Sequence, residues 1–281
     1  MKVVIIGCNG MLGTDLARVC RQEGFETQGF DLPAMDITDF DGVRTLMPDA
    51  DWVVNCAAYT SVDDAESHRE EAFAVNAEGA RIVARVCAGR RLKLVQISTD
   101  YIFDGRTTRP YSERDSPNPL SVYGTSKLAG EKAVRAEGGH FLVVRTQALF
   151  GARGPNFVKT VVRRLRQSDD PLRVVQDQVS CPTYTRHLAE ALVLLVKLDK
   201  EGVVHVAASG HCSWFDFAQA IAARVKPGAV VQPVTTLELA RPAPRPAYSV
   251  LDTRLYQAWT GQALPSWQKG LEEYLVEEKF V

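Results

Sequence analysis

The sequence predicts an α/β protein: a Rossmann-type doubly wound parallel sheet with a smaller C-terminal substrate-binding region. Three observations carry this. Short β-branched apolar runs alternate with longer helical patterns through the first half of the chain. A glycine-rich turn, Gly7-Cys8-Asn9-Gly10-Met11-Leu12-Gly13, stands between the first apolar run and the first helical pattern. Tyr123 and Lys127 stand four apart, a spacing that puts them on one face of a helix.

The elements follow in order. Val3 to Ile6 reads as a buried strand, and Met11 to Glu23 as a helix. Thr27 to Phe30 is a second strand that ends at Asp31. Trp52 to Asn55, Lys93 to Ser98 and Phe141 to Val144 are three more, with helices over Glu70 to Ala88 and Leu120 to Ala136. Beyond Gly151 the pattern thins to a helix near Asn156 to Arg166, a short strand at Arg173 to Val175 and a helix from Thr185 to Leu198. Val203 to Val206 is placed to rejoin the sheet. Arg241-Pro242-Ala243-Pro244-Arg245-Pro246 is a loop or extended arm, because three prolines remove backbone donors. The expected division is a dinucleotide-binding domain over 1–150, with parts of 184–215 returning to it, and a mostly substrate-binding region over 151–281.

Composition narrows the function. The 281 residues are 46% hydrophobic and 24% charged, which fills an ordinary core. A net charge of −1 argues against a nucleic-acid or anionic-membrane surface. No apolar run approaches the roughly 20 residues that span a bilayer. The N-terminal apolar run is short and lacks a small-residue cleavage site, so it reads as a strand and not as a signal. Six cysteines at 8, 20, 56, 87, 181 and 212 fit neither a metal pair nor a disulfide framework, and a reducing, cytoplasmic setting is expected. The five histidines are scattered, so no metal site is expected. The acids Glu272, Glu273, Glu277 and Glu278 read as a solvated helix face, with bridging by magnesium as the alternative.

Gly7, Gly10 and Gly13 follow a strand and open a helix, where free N–H groups and the absence of side chains seat a pyrophosphate. Asp31 can accept from adenosine ribose hydroxyls and repel a 2′-phosphate, which favours NAD, or it can be a loop aspartate or helix cap. Small residues at Cys56-Ala57-Ala58 leave room for a dinucleotide or pack tightly under a loop. A free phenol titrates at about 10. An ammonium and a cationic nicotinamide would lower it, letting Tyr123 protonate a carbonyl as hydride arrives. Lys127 would also bond the nicotinamide ribose. Ser98 and Thr99 close the fourth strand at the sheet's carboxyl edge, where a hydroxyl can orient that carbonyl.

With these residues in place the chain resembles the extended short-chain dehydrogenase/reductases, and among them the dTDP-4-dehydrorhamnose reductase family. The resemblance rests on Asn55-Cys56-Ala57-Ala58-Tyr59-Thr60-Ser61-Val62-Asp63-Asp64-Ala65-Glu66, on Ser98 to Gly105, and on Tyr123 to Lys127 with Glu131. Asp177-Gln178, Cys181-Pro182-Thr183, Arg245-Pro246, Ser249 and Leu251-Asp252 extend it over nearly the whole chain. It implies Thr99, Tyr123 and Lys127 as a catalytic triad. It implies NADPH or NADH bound by Gly7, Gly10, Met11, Leu12, Gly13, Asp31, Asp36, Ile37, Cys56, Ala57, Ala58, Tyr59 and Lys127. A nucleotide-sugar substrate would meet Ser98, Asp100, Phe103, Asn156 and Arg245. The implied reaction is reduction of a 4-keto group on a nucleotide-linked 6-deoxysugar.

The related 4,6-dehydratases carry an acidic pair after the threonine. Here Asp100 is followed by Tyr101, which supports simple reduction. Three positions depart from the family pattern: Gln147 stands where serine is common, Ala148 where tryptophan is, and Tyr248 where asparagine is. A regulatory subunit of the methionine adenosyltransferase type and a sugar-nucleotide epimerase are the alternatives. The resemblance allows a homodimer, though no stretch of the sequence marks an interface.

Overall fold

The computed structural model describes residues 1–281. Strand β1 (Lys2–Ile6) leads through the glycine turn into α1 (Met11–Gln22) and β2 (Glu26–Phe30). Then come α2 (Phe40–Leu46), β3 (Trp52–Asn55), α3 (Arg69–Phe73), α4 (Ala80–Arg90), β4 (Lys93–Thr99), α5 (Val122–Glu137) and β5 (Phe141–Thr146). The second half carries β6 (Leu149–Phe150), α6 (Phe157–Gln167), β7 (Leu172–Val175), β8 (Val179–Ser180), β9 (Thr183–Tyr184) and α7 (Thr185–Lys197). It ends with β10 (Gly202–His205), β11 (Cys212–Ser213), α8 (Trp214–Val225), β12 (Val231–Val234), α9 (Thr236–Leu239), α10 (Arg254–Thr260) and α11 (Trp267–Glu277).

Six strands form one parallel sheet in the order β10-β5-β4-β3-β1-β2. Alternate side chains of a strand leave opposite faces. Val3 and Ile5 accordingly enter one core with Leu16 of α1 and Leu188 and Leu192 of α7, while Val4 and Ile6 enter another with Ile82 and Val83 of α4. The central strands are buried on both sides, so they read as continuous apolar runs. The chain leaves β1 for β2 on one side, and β3 lies on the other. That reversal opens a crevice at the strands' carboxyl ends, where this architecture binds ligands.

The helix expected over Glu70 to Ala88 is a single rod with one wide turn, a π-helical segment at Ala74–Gly79. Asn76 within it accepts from Tyr59 N at 2.9 Å and donates to Tyr59 O and Ser126 Oγ at 3.0 Å each. The widened turn therefore ties the loop after β3 to α5, which no periodicity count could show.

A third core, with Phe150, Tyr184, Phe217 and Tyr274 at its centre, joins α6, α8 and α11. It belongs to the second half of the chain. Tyr256 of α10 and Leu264 pack instead with the β1–α7 core, so the chain returns to the sheet layer twice, at α7–β10 and again at α10. The C-terminal acids are not a free solvated face. Glu273 takes His187 Nε2 at 2.7 Å, and Glu277 binds Tyr184 Oη at 2.7 Å and the guanidinium of Arg18. These contacts pin α11 to α1 and α7. All six cysteines are free, and no group of His, Cys, Asp and Glu side chains is arranged to hold a metal ion. No helix is long and apolar enough to cross a membrane.

Candidate active site

The glycine turn is fixed from below. Gly7 N donates to Phe30 O at 2.8 Å, and Gly7 has φ +77°, in the left-handed region. A Cβ on Gly13 would lie 2.1 Å from Gly7 O, so helix and turn meet only if that position has no side chain. Helix α1 starts after Gly10 with no side-chain cap and no acid in its first turn, leaving its first N–H groups free for an anion. Asp31 does two things here. Its oxygens accept from Asn9 N and Leu32 N at 2.9 Å each, stapling the turn, and it lines the cleft as well. Gly13→Ala is expected to weaken NADPH binding at least about tenfold, about 1.4 kcal/mol, in a fluorescence titration. An unchanged Kd would contradict the close approach.

The cleft above the turn has a volume of about 860 Å³. Every residue assigned to the cofactor lines it: Gly7, Gly10, Met11, Leu12, Gly13, Asp31, Asp36, Ile37, Cys56, Ala57, Ala58, Tyr59 and Lys127. Thr99 and Tyr123 line it too, and they also line a second cavity of about 190 Å³. These two side chains thus stand in a wall common to both spaces.

Helix α5 brings Tyr123 and Lys127 there. Ser121 caps it, accepting from Gly124 N at 3.1 Å. Lys127 is buried and donates from Nζ to Ile97 O at 2.8 Å. Burial lowers it from its ordinary value to about 8, while Glu131, one turn on, opposes the fall. Tyr123 meets Tyr101 edge-on, with centroids 5.8 Å apart. Burial pushes the Tyr123 phenol up, the Thr99 hydroxyl opposes this, and Asp100 and Tyr101 add to the rise. The Lys127 ammonium is held at Ile97 O. A phenol that keeps its proton suits a proton donor.

Asp100 is also inside, pushed up to about 7 by burial. Its Oδ1 accepts from Thr99 Oγ1 at 3.1 Å, its Oδ2 has no hydrogen-bond partner, and it lines the smaller cavity.

The other residues assigned to the substrate lie elsewhere. Ser98 lines the large cleft, but its hydroxyl donates to Glu131. Phe103 lines neither cavity; it is fully buried and stacked on Tyr111 at 4.2 Å. Asn156 caps α6 and donates to Gly151 O at 2.8 Å and to Tyr274 Oη at 3.2 Å. Arg245 is engaged by both oxygens of Asp63 at 2.9 Å, directly behind Pro246, which does line the smaller cavity. In each case the side chain has an internal partner. Residues the sequence reading did not assign complete the walls: Gln147, Leu149 and Pro155 in the cleft, and Gln178, Ser180 and Trp214 in the smaller cavity. Ala148 lines both, in the left-handed region at φ +45°. Its departure from the family pattern, with that of Gln147 beside it, is the signal in the sequence that points to this segment.

The model of the RmlD substrate binding domain family matches residues 1–280. The chain is 39% identical over 278 residues to the spore coat polysaccharide biosynthesis protein SpsK of Bacillus subtilis, covering 98% of this chain and 97% of that one. It is 40% identical to a dTDP-4-dehydrorhamnose reductase of Mycolicibacterium smegmatis, covering 97% and 84%. Among solved structures it resembles a dTDP-4-dehydrorhamnose reductase of Bacillus anthracis in complex with NADP, with TM-score 0.95, 37% identity and coverage of 98% and 99%.

Proposed function

The chain belongs to the RmlD substrate binding domain family, and from that we propose that it reduces the 4-keto group of a nucleotide-linked 6-deoxysugar with NADPH or NADH. The most direct form of the reaction converts dTDP-4-dehydro-L-rhamnose to dTDP-L-rhamnose. One observation carries the reading: Thr99 and Tyr123 stand where a dinucleotide-sized cleft and a sugar-sized cavity share a wall, with Lys127 beside them on the cleft side.

The cleft fits a dinucleotide, since its floor is a turn in which a Cβ at Gly13 has no room and α1 presents uncapped N–H groups. When bound, the cofactor supplies hydride to the carbonyl carbon. Tyr123 holds, on its phenol oxygen, the proton that the carbonyl oxygen takes up. Thr99 orients that oxygen. Lys127 would hold the nicotinamide ribose, and the first turn of α1 the pyrophosphate. Tyr101 stands where a second carboxylate would be needed to eliminate water, which supports reduction alone. The proposal assigns residues 1–150, with parts of 184–215, to the dinucleotide and most of 151–281 to the substrate. Six free cysteines agree with a cytoplasmic enzyme. A homodimer is part of the proposal and is read out by light scattering.

The test is NADPH and NADH oxidation by the purified protein with dTDP-4-dehydro-L-rhamnose, with the sugar product identified by mass and NMR. Formation of one dTDP-L-rhamnose for each NADPH or NADH oxidised is expected. Oxidation of neither cofactor would sink the proposal, and conversion without net cofactor use would favour an epimerase.

A further inference from the structure

The smaller cavity has a mixed lining, polar and apolar. Thr99, Asp100 and Ser180 offer hydroxyl and carboxyl groups. Val62, Val179 and Trp214 offer apolar surface. Trp214 opens α8 and is held from three sides. Its backbone N donates to Gln178 O at 3.3 Å, and the helix start is locked by a capping box between Ser213 and Asp216. Behind the indole lie Phe157, with centroids 4.7 Å apart, and the fully buried Phe217 at 6.3 Å. Trp214 is thus a wall backed by packed aromatics, not a mobile side chain. Ala148, which lines the same cavity, contributes only a methyl group.

A 6-deoxyhexose is mixed in the same way, with oxygens around the ring and a methyl at C6. Building on the reductase reading, we infer that Trp214, with Val62 and Val179, forms the surface that receives the C6 methyl and makes the enzyme select 6-deoxy over 6-hydroxy nucleotide sugars. A hydroxyl at C6 would lose its water against these three side chains, and the two valines offer it no partner in exchange. The indole also supplies the aromatic surface that Ala148 lacks.

The test compares inhibition by two product-like nucleotides, dTDP-L-rhamnose and dTDP-L-mannose, which differ only in the C6 oxygen. Wild type is expected to bind the rhamnosyl compound about tenfold or more tighter, the discrimination one such group commands in an apolar pocket. Trp214→Ala should bring the two inhibition constants close together and raise the KM for the sugar nucleotide, leaving the KM for NADPH in place. Trp214→Phe, which keeps a ring, should retain most of the preference. Val62→Thr changes polarity at nearly constant shape and should narrow the ratio even if Trp214→Ala fails to fold. An unchanged ratio in a folded Trp214→Ala and in Val62→Thr overturns the inference while leaving reduction intact. A wild type that binds NADPH and neither nucleotide sugar overturns the reductase reading itself.

Discussion

Replacing Tyr123 by phenylalanine is expected to lower kcat by about 10²–10⁴-fold, the range for losing a positioned acid, and to leave the Kd for NADPH within about twofold. The substitution removes one oxygen and keeps the ring. Its edge-on contact with Tyr101 and its place between the two cavities survive, so the fold has little reason to change. The carbonyl oxygen then has no phenol proton to take up, and Thr99 can orient it without protonating it. Stopped-flow turnover together with a cofactor titration separates the two quantities. Full turnover by a folded variant would remove Tyr123 from the chemistry.

The second large effect lies beneath the site. Glu131 is buried and receives Arg145 Nη2 at 2.7 Å, Arg145 Nε at 3.0 Å and the Ser98 hydroxyl. Arg145 continues to His205 Nε2 at 3.3 Å, and His205 Nδ1 meets Tyr111 O at 3.0 Å. Burial and the neighbouring guanidinium drive His205 down to about 3, so it stays neutral and accepts from the arginine. Replacing Glu131 by glutamine leaves the Arg145 charge buried without its counter-ion. A loss of about 3–5 kcal/mol is the usual scale for breaking such a pair from one side, and urea denaturation would read it.

The same substitution carries a pH signature. Lys127 sits at about 8 because burial lowers it and the Glu131 charge limits the fall. A lysine loses its charge as pH rises through its pKa, so a lower pKa means loss at lower pH. The alkaline limb of kcat is therefore expected to move to lower pH in Glu131→Gln. Stability follows the matching sign. Lys127 titrates lower in the fold than its ordinary 10.5, so the cost of its buried charge is full below about pH 8 and fades as pH climbs toward 10.5. A destabilised variant with an unmoved pH profile would show that the pair holds the fold and does nothing for Lys127.

The cofactor half of the site was legible because its parts lie at the ends of consecutive strands. Gly7, Asp31, Cys56 and Thr99 each follow or close a strand whose apolar run is readable, and a parallel sheet brings such ends to one edge. Tyr123 and Lys127 needed only the helix period. The substrate half was not legible. Its walls come from Val62, Ala148, Ser180, Trp214 and Ser249, which lie in loops, a short strand and a helix start far apart in the sequence. Phe103, Asn156 and Arg245 were assigned to it by resemblance, yet Tyr111, Tyr274 and Asp63 hold them. A motif names residue types, and it does not say which neighbour will compete for a side chain.

Local chemistry in the chain was enough to determine the parallel sheet, the glycine seat and the i, i+4 pair of acid and ammonium, because each depends on spacings of a few residues and on strand ends. The three-dimensional packing alone decided which polar groups stay free, that burial raises Tyr123, and that Trp214 lines the smaller cavity. Those outcomes depend on burial and on partners distant in sequence, and no local spacing encodes the distance between them.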